Sequence, residues 1–165
     1  FPVNGRFTPE QRAVYEIVLN AQNEAIGKAK EGNHWNDPHD AAVKVITSGL
    51  KKIGLLDGRL TTRVRDEAYR EFCMHRTGHW IGMDVHDVGD YKLDGEWRML
   101  EAGMVMTVEP GLYLPANSKS LPNQWRNIGV RIEDDVLVTK DGYDILSKNA
   151  PKTIDEIEEL MADAA

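Results

Sequence analysis

Three of the chain's five histidines fall in one short stretch, HRTGHWIGMDVHDVG, which covers residues 75–89. An imidazole can bind a metal, transfer a proton or stabilise a developing negative charge. Gly78 and Gly82 oppose a helix, so the stretch is not the helical HExxH motif of many zinc proteases. The alternative is a polar loop whose histidines are ordinary surface residues, and the stretch alone does not decide between the two.

Two glutamates, Glu109 in MVMTVEPGLYL and Glu133 in GVRIEDDVLVT, lie in strongly apolar stretches. In extended strands Thr107 shares a face with Glu109, and Arg131 shares a face with Glu133. A buried, unpaired carboxylate is costly, so both should reach a metal, a partner charge or solvent. The alternatives are a solvated Glu133 or a structural Arg–Glu pair. Together with the histidines, the glutamates form a ligand set that suits Mn, Fe, Co or Zn.

Other chemistries find little support in the sequence. The chain contains no GxSxG elbow of a serine hydrolase and no glycine-rich phosphate loop. Cys73 stands near His75, but it follows Phe72 at a predicted helix end, and we interpret it as a packing residue.

The bulk composition also bounds the function. A net charge of −7 makes a nucleic-acid partner unexpected. No apolar run approaches the roughly 20 residues of a membrane span, so we expect no membrane partner. The single cysteine favours a reducing compartment, and we expect the cytoplasm.

Helices are predicted in the first part of the 165-residue chain. Thr8-Pro9-Glu10-Gln11 combines an N-cap, a proline at the first helical position and a capping-box residue, so a helix over about 9–30 follows. Asp37-Pro38 begins a second helix, with Gly54 near its end. A third, shorter helix is predicted over about 62–74.

Strands are predicted after His75, followed by one terminal helix. The period-two alternation from Ile81 to Val85 is typical of a strand, and Asp141-Gly142 is a strong hairpin signal. The predicted strands are 81–85, 104–114 with an interruption at Pro110-Gly111, 129–139 and 143–146, and the helix is 153–161. Helices followed by an antiparallel sheet indicate an α+β fold, with the sheet flanked by helices.

In this order, HRTGHWIGMDVHDVG, LEAGMVMTVEPGLYLP and GVRIEDDVLVT resemble the pita-bread metallopeptidases, and most closely their Xaa-Pro aminopeptidase (aminopeptidase P) group. The resemblance runs from FPVNGRFTPEQ through the terminal helix. It implies two divalent metals per active site, usually Mn²⁺, held by two aspartates, one histidine and two glutamates. By motif, His79 matches the histidine ligand, Glu109 the first glutamate and Glu133 the second, which bridges both metals.

The same resemblance assigns four further residues. His75 and His86 match two non-ligand histidines that line the substrate site, and Tyr113 and Arg131 match residues that support the metal carboxylates. Since His79 and His86 are seven positions apart, a straight strand would place them on opposite faces, so we expect a bend at Gly82. We also expect Gly78 to let the chain turn between His75 and His79.

One departure from the family pattern is serious. The family's two aspartate ligands precede a segment like FPVNG, and no aspartate within 1–165 matches them. We therefore expect residues 1–165 to be the C-terminal part of an N-terminally truncated pita-bread catalytic domain. With three ligands of five, the chain alone is expected to bind Mn²⁺ weakly and to lack significant activity.

For the intact enzyme, the resemblance implies hydrolysis of the N-terminal Xaa-Pro bond of peptides with proline in second position, and a homo-oligomer. Two alternatives stay open. A prolidase, which cleaves Xaa-Pro dipeptides, shares these motifs almost entirely. A non-catalytic pita-bread module would bind a peptide or a protein without metal.

Overall fold

Two long helices form one layer of the structure, a computed structural model that describes residues 1–163. Helix α1 (Pro9–Ile26) begins at Thr8, where both hydrogen bonds of the predicted capping box are present, and it ends four residues earlier than predicted. Helix α2 (Asp37–Lys52) packs against it. Close packing needs Gly49, because a Cβ there would lie 2.6 Å from the Ile17 side chain.

The predicted third helix is interrupted. Helix α3 covers only Leu60–Arg65, and a single 3₁₀ turn follows at Ala68–Glu71. Glu67 separates them with a φ of 52°, in the left-handed region, so a continuous right-handed helix cannot form. Cys73 is buried beyond the turn, as expected for a packing residue.

Short antiparallel strands form the second layer, and helix α4 (Ile154–Asp163) closes the described chain at the place predicted for it. The strands are β1 (Lys92–Leu93), β2 (Glu96–Trp97), β3 (Val105–Val108), β4 (Gly111–Leu114), β5 (Ile128–Arg131), β6 (Asp134–Thr139) and β7 (Gly142–Ile145). Strands β3, β6 and β7 form one sheet in the order β3-β6-β7, and separate two-stranded pairs are formed by β4 with β5 and by β1 with β2.

Each of the two long predicted strands is divided in the middle. Strands β3 and β4 are separated at Glu109-Pro110, and strands β5 and β6 at Ile132-Glu133, although 129–139 was predicted as one strand. The breaks face each other, since Ile132 N–H donates to the Pro110 carbonyl at 3.4 Å. Pro110 has no N–H to continue the ladder, which explains why pairing stops there.

The predicted strand at 81–85 is wrong in its position. The extended segment lies earlier, at 77–81, where main-chain bonds join it antiparallel to β3: Glu109 N–H to Thr77 O at 2.7 Å and Thr107 N–H to His79 O at 3.0 Å. Residues 82–86 instead form bends. The Asp87 carboxylate accepts hydrogen bonds from nearby main-chain N–H groups, and these bonds replace the ladder.

The core lies between the helices and the strands. Its fully buried side chains come from both layers: Val14, Val18, Ile46, Leu50, Val108, Leu112, Val136 and Val138. Burying side chains of this size stabilises a fold by about 1.5–3 kcal/mol each. The predicted hairpin is present between β6 and β7, with Lys140 and Asp141 in its loop. Within residues 1–163, no helix is long and apolar enough to cross a membrane.

Candidate metal centre

Three segments that are distant in sequence bring His79, Glu109 and Glu133 together. One ligand atom from each lies within 4.8 Å of the others. His79 comes from the segment paired with β3, Glu109 from the break after β3, and Glu133 from the opposite break before β6. His79 and Glu109 are mostly buried, with side chains 14% and 11% exposed, while Glu133 opens to solvent. The interrupted ladders thus place the three predicted ligands at one point.

The hydrogen bonds of His79 indicate its tautomer. Its Nδ1 lies 2.8 Å from the Trp80 carbonyl oxygen, which only accepts, so Nδ1 carries a proton. In the neutral ring, Nε2 is then the free lone pair, and it lies 3.3 Å from Glu109 Oε1. A lone pair that faces a carboxylate oxygen is repelled by it unless a proton or a metal ion lies between the two atoms. An Nδ1–H bound to a carbonyl is the usual support of a metal-binding histidine.

Glu109 is held from two sides. The Thr107 hydroxyl donates to Oε1 at 3.2 Å and accepts the His79 main-chain N–H at 3.0 Å. Arg131 Nη1 lies 3.4 Å from Oε2. The sequence placed Thr107 on the face of Glu109 but gave it no role, although this shared face was the available signal. Thr107 thus fixes the side chain of one predicted ligand, Glu109, and the main chain of another, His79.

Burial and neighbouring charges shift the pKa of Glu133. Its pKa is raised, first by partial burial and then by the negative charges of Glu109 and Asp135, against the opposing effects of His79 and Arg131. Burial and the neighbouring carboxylates therefore both disfavour a negative charge on Glu133. A cation bound between the carboxylates would offset this effect, and one imidazole with two carboxylates fits a divalent cation that accepts nitrogen and oxygen ligands.

His75, Tyr113 and Arg131 form a second hydrogen-bonded group beside Glu109. His75 Nδ1 lies 2.7 Å from the Arg76 carbonyl oxygen, so it donates, and Nε2 of the neutral ring accepts from the Tyr113 hydroxyl at 2.9 Å. That hydroxyl in turn accepts from Arg131 Nε at 2.8 Å. Arg131 therefore connects this group to the Glu109 carboxylate.

A glycine makes room for this group. A Cβ on Gly111 would lie 2.6 Å from the Tyr113 hydroxyl and 3.1 Å from His75 Nε2. We had interpreted Gly111 only as part of the strand interruption, so its role beside the site was missed. The Pro-Gly dipeptide was the only sequence signal for it.

His86 reaches the site from an exposed loop. Its ring centroid lies 4.3 Å from that of His79, and the chain bends after Gly82. Within residues 1–163, the histidine among the grouped ligand atoms is His79. A Cβ on Gly82 would lie 1.9 Å from Asp87 Oδ2, so a larger residue at this position would displace the Asp87 carboxylate.

Gly78 has a different role from the predicted turn. A Cβ there would lie 2.1 Å from the Thr107 carbonyl oxygen. Glycine therefore allows the close approach of two backbones. This approach permits the pairing of the His79 segment with β3.

Comparison with known proteins places this geometry in a family. Residues 1–140 match metallopeptidase family M24. The Xaa-Pro aminopeptidase of Haemophilus influenzae is 48% identical over 161 residues, covering 98% of this chain and 37% of that protein. The structure of Pseudomonas aeruginosa aminopeptidase PepP is similar with a TM-score of 0.98 at 55% identity, covering 99% of this chain and 37% of that one. The structure of Escherichia coli aminopeptidase P with the inhibitor Pro-Leu is similar with a TM-score of 0.94 at 43% identity. The match covers 99% of this chain and 37% of that one.

The chain thus spans about 37% of the length of these relatives. The structural match confirms the predicted α+β fold of pita-bread type. A metallopeptidase family implies the use of a divalent metal, which agrees with the donor set of His79, Glu109 and Glu133. The chain belongs to metallopeptidase family M24.

Proposed function

We propose that residues 1–165 are the C-terminal part of the catalytic domain of a Xaa-Pro aminopeptidase. The intact enzyme hydrolyses the N-terminal Xaa-Pro bond of peptides whose second residue is proline. The convergence of His79, Glu109 and Glu133 within 4.8 Å carries the proposal. The similarity to proteins named Xaa-Pro aminopeptidase supports this substrate class.

The proposed metal is Mn²⁺, two per site, and His79, Glu109 and Glu133 are the residues of this chain that would hold it. Oxygen-rich ligand sets with one imidazole suit this cation. When bound, the metals supply a Lewis acid and lower the pKa of bound water. Because no aspartate of the chain matches the family's two aspartate ligands, we propose that the chain by itself is inactive.

This chain's own groups orient the reaction. Arg131 and Thr107 hold Glu109 in one direction, and Glu109 or Glu133 accepts the proton of the attacking water. His75 and His86 line the substrate site. His86 can donate a hydrogen bond to the carbonyl oxygen as negative charge develops, whereas both ring nitrogens of His75 are already bonded, to the Arg76 carbonyl and the Tyr113 hydroxyl. Tyr113 fixes the ring of His75 through its hydroxyl.

We propose a cytoplasmic enzyme, because the single cysteine, Cys73, is a free buried thiol. We propose a homo-oligomer by analogy with the family.

Hydrolysis by the full-length protein with added Mn²⁺ tests the proposed function. We expect cleavage of Xaa-Pro-Xaa tripeptides with release of the first residue. Cleavage of Xaa-Pro dipeptides alone would identify a prolidase. Tight peptide binding without cleavage of either substrate would identify a non-catalytic module.

A further inference from the structure

A fourth histidine lies beneath the metal centre. His39 belongs to helix α2, is only 9% exposed, and its Nδ1 lies 2.9 Å from the hydroxyl of Thr77, which is 4% exposed. The pKa of His39 is lowered to about 4, first by burial and then by the positive charges of Arg76, Arg70 and His75. The ring is therefore neutral at neutral pH and bonds the Thr77 hydroxyl as either donor or acceptor.

Thr77 connects this helix to a ligand of the metal centre. Its carbonyl oxygen accepts the main-chain N–H of Glu109 at 2.7 Å. Two residues further on, His79 continues the same pairing with β3 through its own carbonyl. The side chain of Thr77 thus faces α2, while its main chain sets the position of Glu109.

Helix α1 provides a second contact of the same kind. Gln22 is fully buried, and its Nε2 donates to the Val108 carbonyl oxygen at 3.3 Å. Polar side chains from both helices therefore cross the apolar core, His39 to Thr77 and Gln22 to the end of β3. A buried polar group is costly unless it is bonded. His39 Nδ1 and Gln22 Nε2 are bonded, whereas Gln22 Oε1 is buried without a partner.

We propose that His39 is a positioning residue for the metal centre, which acts by holding Thr77 and through it the main chain of Glu109. The inference rests on the metal site of the proposed function. The proposed effect of His39 passes through its bond to the Thr77 hydroxyl and the bond from Glu109 N–H to Thr77 O. Partners of this kind, outside the ligands themselves, determine how precisely ligands point.

Mn²⁺ affinity of the full-length protein tests the proposal with four variants. His39→Leu removes the ring nitrogens, His39→Asn places an amide near the position of Nδ1, and Thr77→Val removes the hydroxyl. Thr47→Val is the matched control, because Thr47 is a fully buried threonine of α2 whose hydroxyl bonds Val43 O at 2.7 Å, away from the site.

We expect His39→Leu and Thr77→Val to raise the Kd for Mn²⁺ by about 10-fold or more. His39→Asn should restore most of the affinity. Thr47→Val should lower the Tm like Thr77→Val but leave the Kd unchanged, which separates positioning from general stability.

Hydrogen exchange of the Glu109 amide in the metal-free protein gives an independent readout. We expect faster exchange in His39→Leu and Thr77→Val and unchanged exchange in Thr47→Val. An unchanged Kd in both site variants, or unchanged Glu109 exchange, would overturn the proposal. If His39→Leu fails to fold, Thr77→Val decides. If the unaltered protein binds no Mn²⁺, the metal centre fails as proposed, while the exchange measurement still tests the positioning contact.

Discussion

Two neighbouring segments carry histidines to the same place by different means. His79 lies in a segment bonded along β3, and its side chain is mostly buried. His86 lies on a loop in which Met83, Val85 and Val88 are exposed and the carboxylate of Asp87 accepts the main-chain bonds. A metal ligand needs a fixed direction, which a strand ladder provides. A group that meets substrate can be placed on a loop.

Removing the buried histidine should have the largest effect. In the full-length protein, His79→Ala should lose bound metal and reduce hydrolysis on the order of 10³-fold or more, because one of the three grouped ligands is gone. Metal content after dialysis and hydrolysis rates measure this. His34→Ala, at an exposed histidine beside Asp37, serves as control and should retain both. If the His79→Ala protein kept its full metal content, His79 would not be a ligand. The proposed difference between the His79 segment and the His86 loop would then be wrong.

Acid should destabilise the folded protein through the buried His39. Its pKa of about 4 in the folded protein lies below the ordinary 6.5, so the unfolded chain takes up the proton first as pH falls. Stability from this group is complete above pH 6.5 and is lost toward pH 4, by about 3 kcal/mol. Urea unfolding of metal-free protein across this range measures the slope. His39→Asn should give a shallower slope, and equal slopes would show that His39 does not contribute.

On the loop, His86→Ala should separate catalysis from metal binding. We expect both metals to be retained and kcat to fall about 10²-fold, since we propose that the imidazole acts on the substrate in the transition state. Metal analysis and steady-state kinetics of the full-length variant test this. A metal-depleted His86→Ala protein would make His86 a ligand. Lower stability with near-normal turnover would make it a packing residue.

The smallest effect is expected from the residue that folds the loop. Asp87→Ala removes the acceptor of the Met83 and Val88 N–H bonds and should lower kcat about 10-fold by misplacing His86, with metal retained. Asp84→Ala, at an exposed aspartate of the same loop, is the matched control and should be nearly neutral. Equal kinetics of the two variants would show that the Asp87 bonds do not position His86.

Sequence patterns predicted the parts of this fold that depend on local chemistry. The capping box of Thr8 placed the start of α1, and strand parity placed Thr107 with Glu109. The choice of His79 as ligand came from the family motif, because spacing alone did not rank the histidines. Alternation at 81–85 was misleading, since side-chain bonds of Asp87 competed with the ladder.

Contacts between segments that are distant along the chain were not predicted from the sequence. The bond between His39 and Thr77 spans 38 positions and follows from how α2 packs on the strands. The facing breaks at Glu109-Pro110 and Ile132-Glu133 also require the pairing of two strands to be known. Local periodicity predicts neither the His39–Thr77 bond nor the facing breaks.

The facing breaks have a consequence for insertions and deletions. Each break is two residues long and lies between fixed ladders, Val108 with Asp134 on one side and Gly111 with Arg131 on the other. A residue added to either break would shift the register or rotate its glutamate away from the other. The length of this stretch is therefore constrained as strictly as its chemistry, while the exposed β1–β2 hairpin can vary in length.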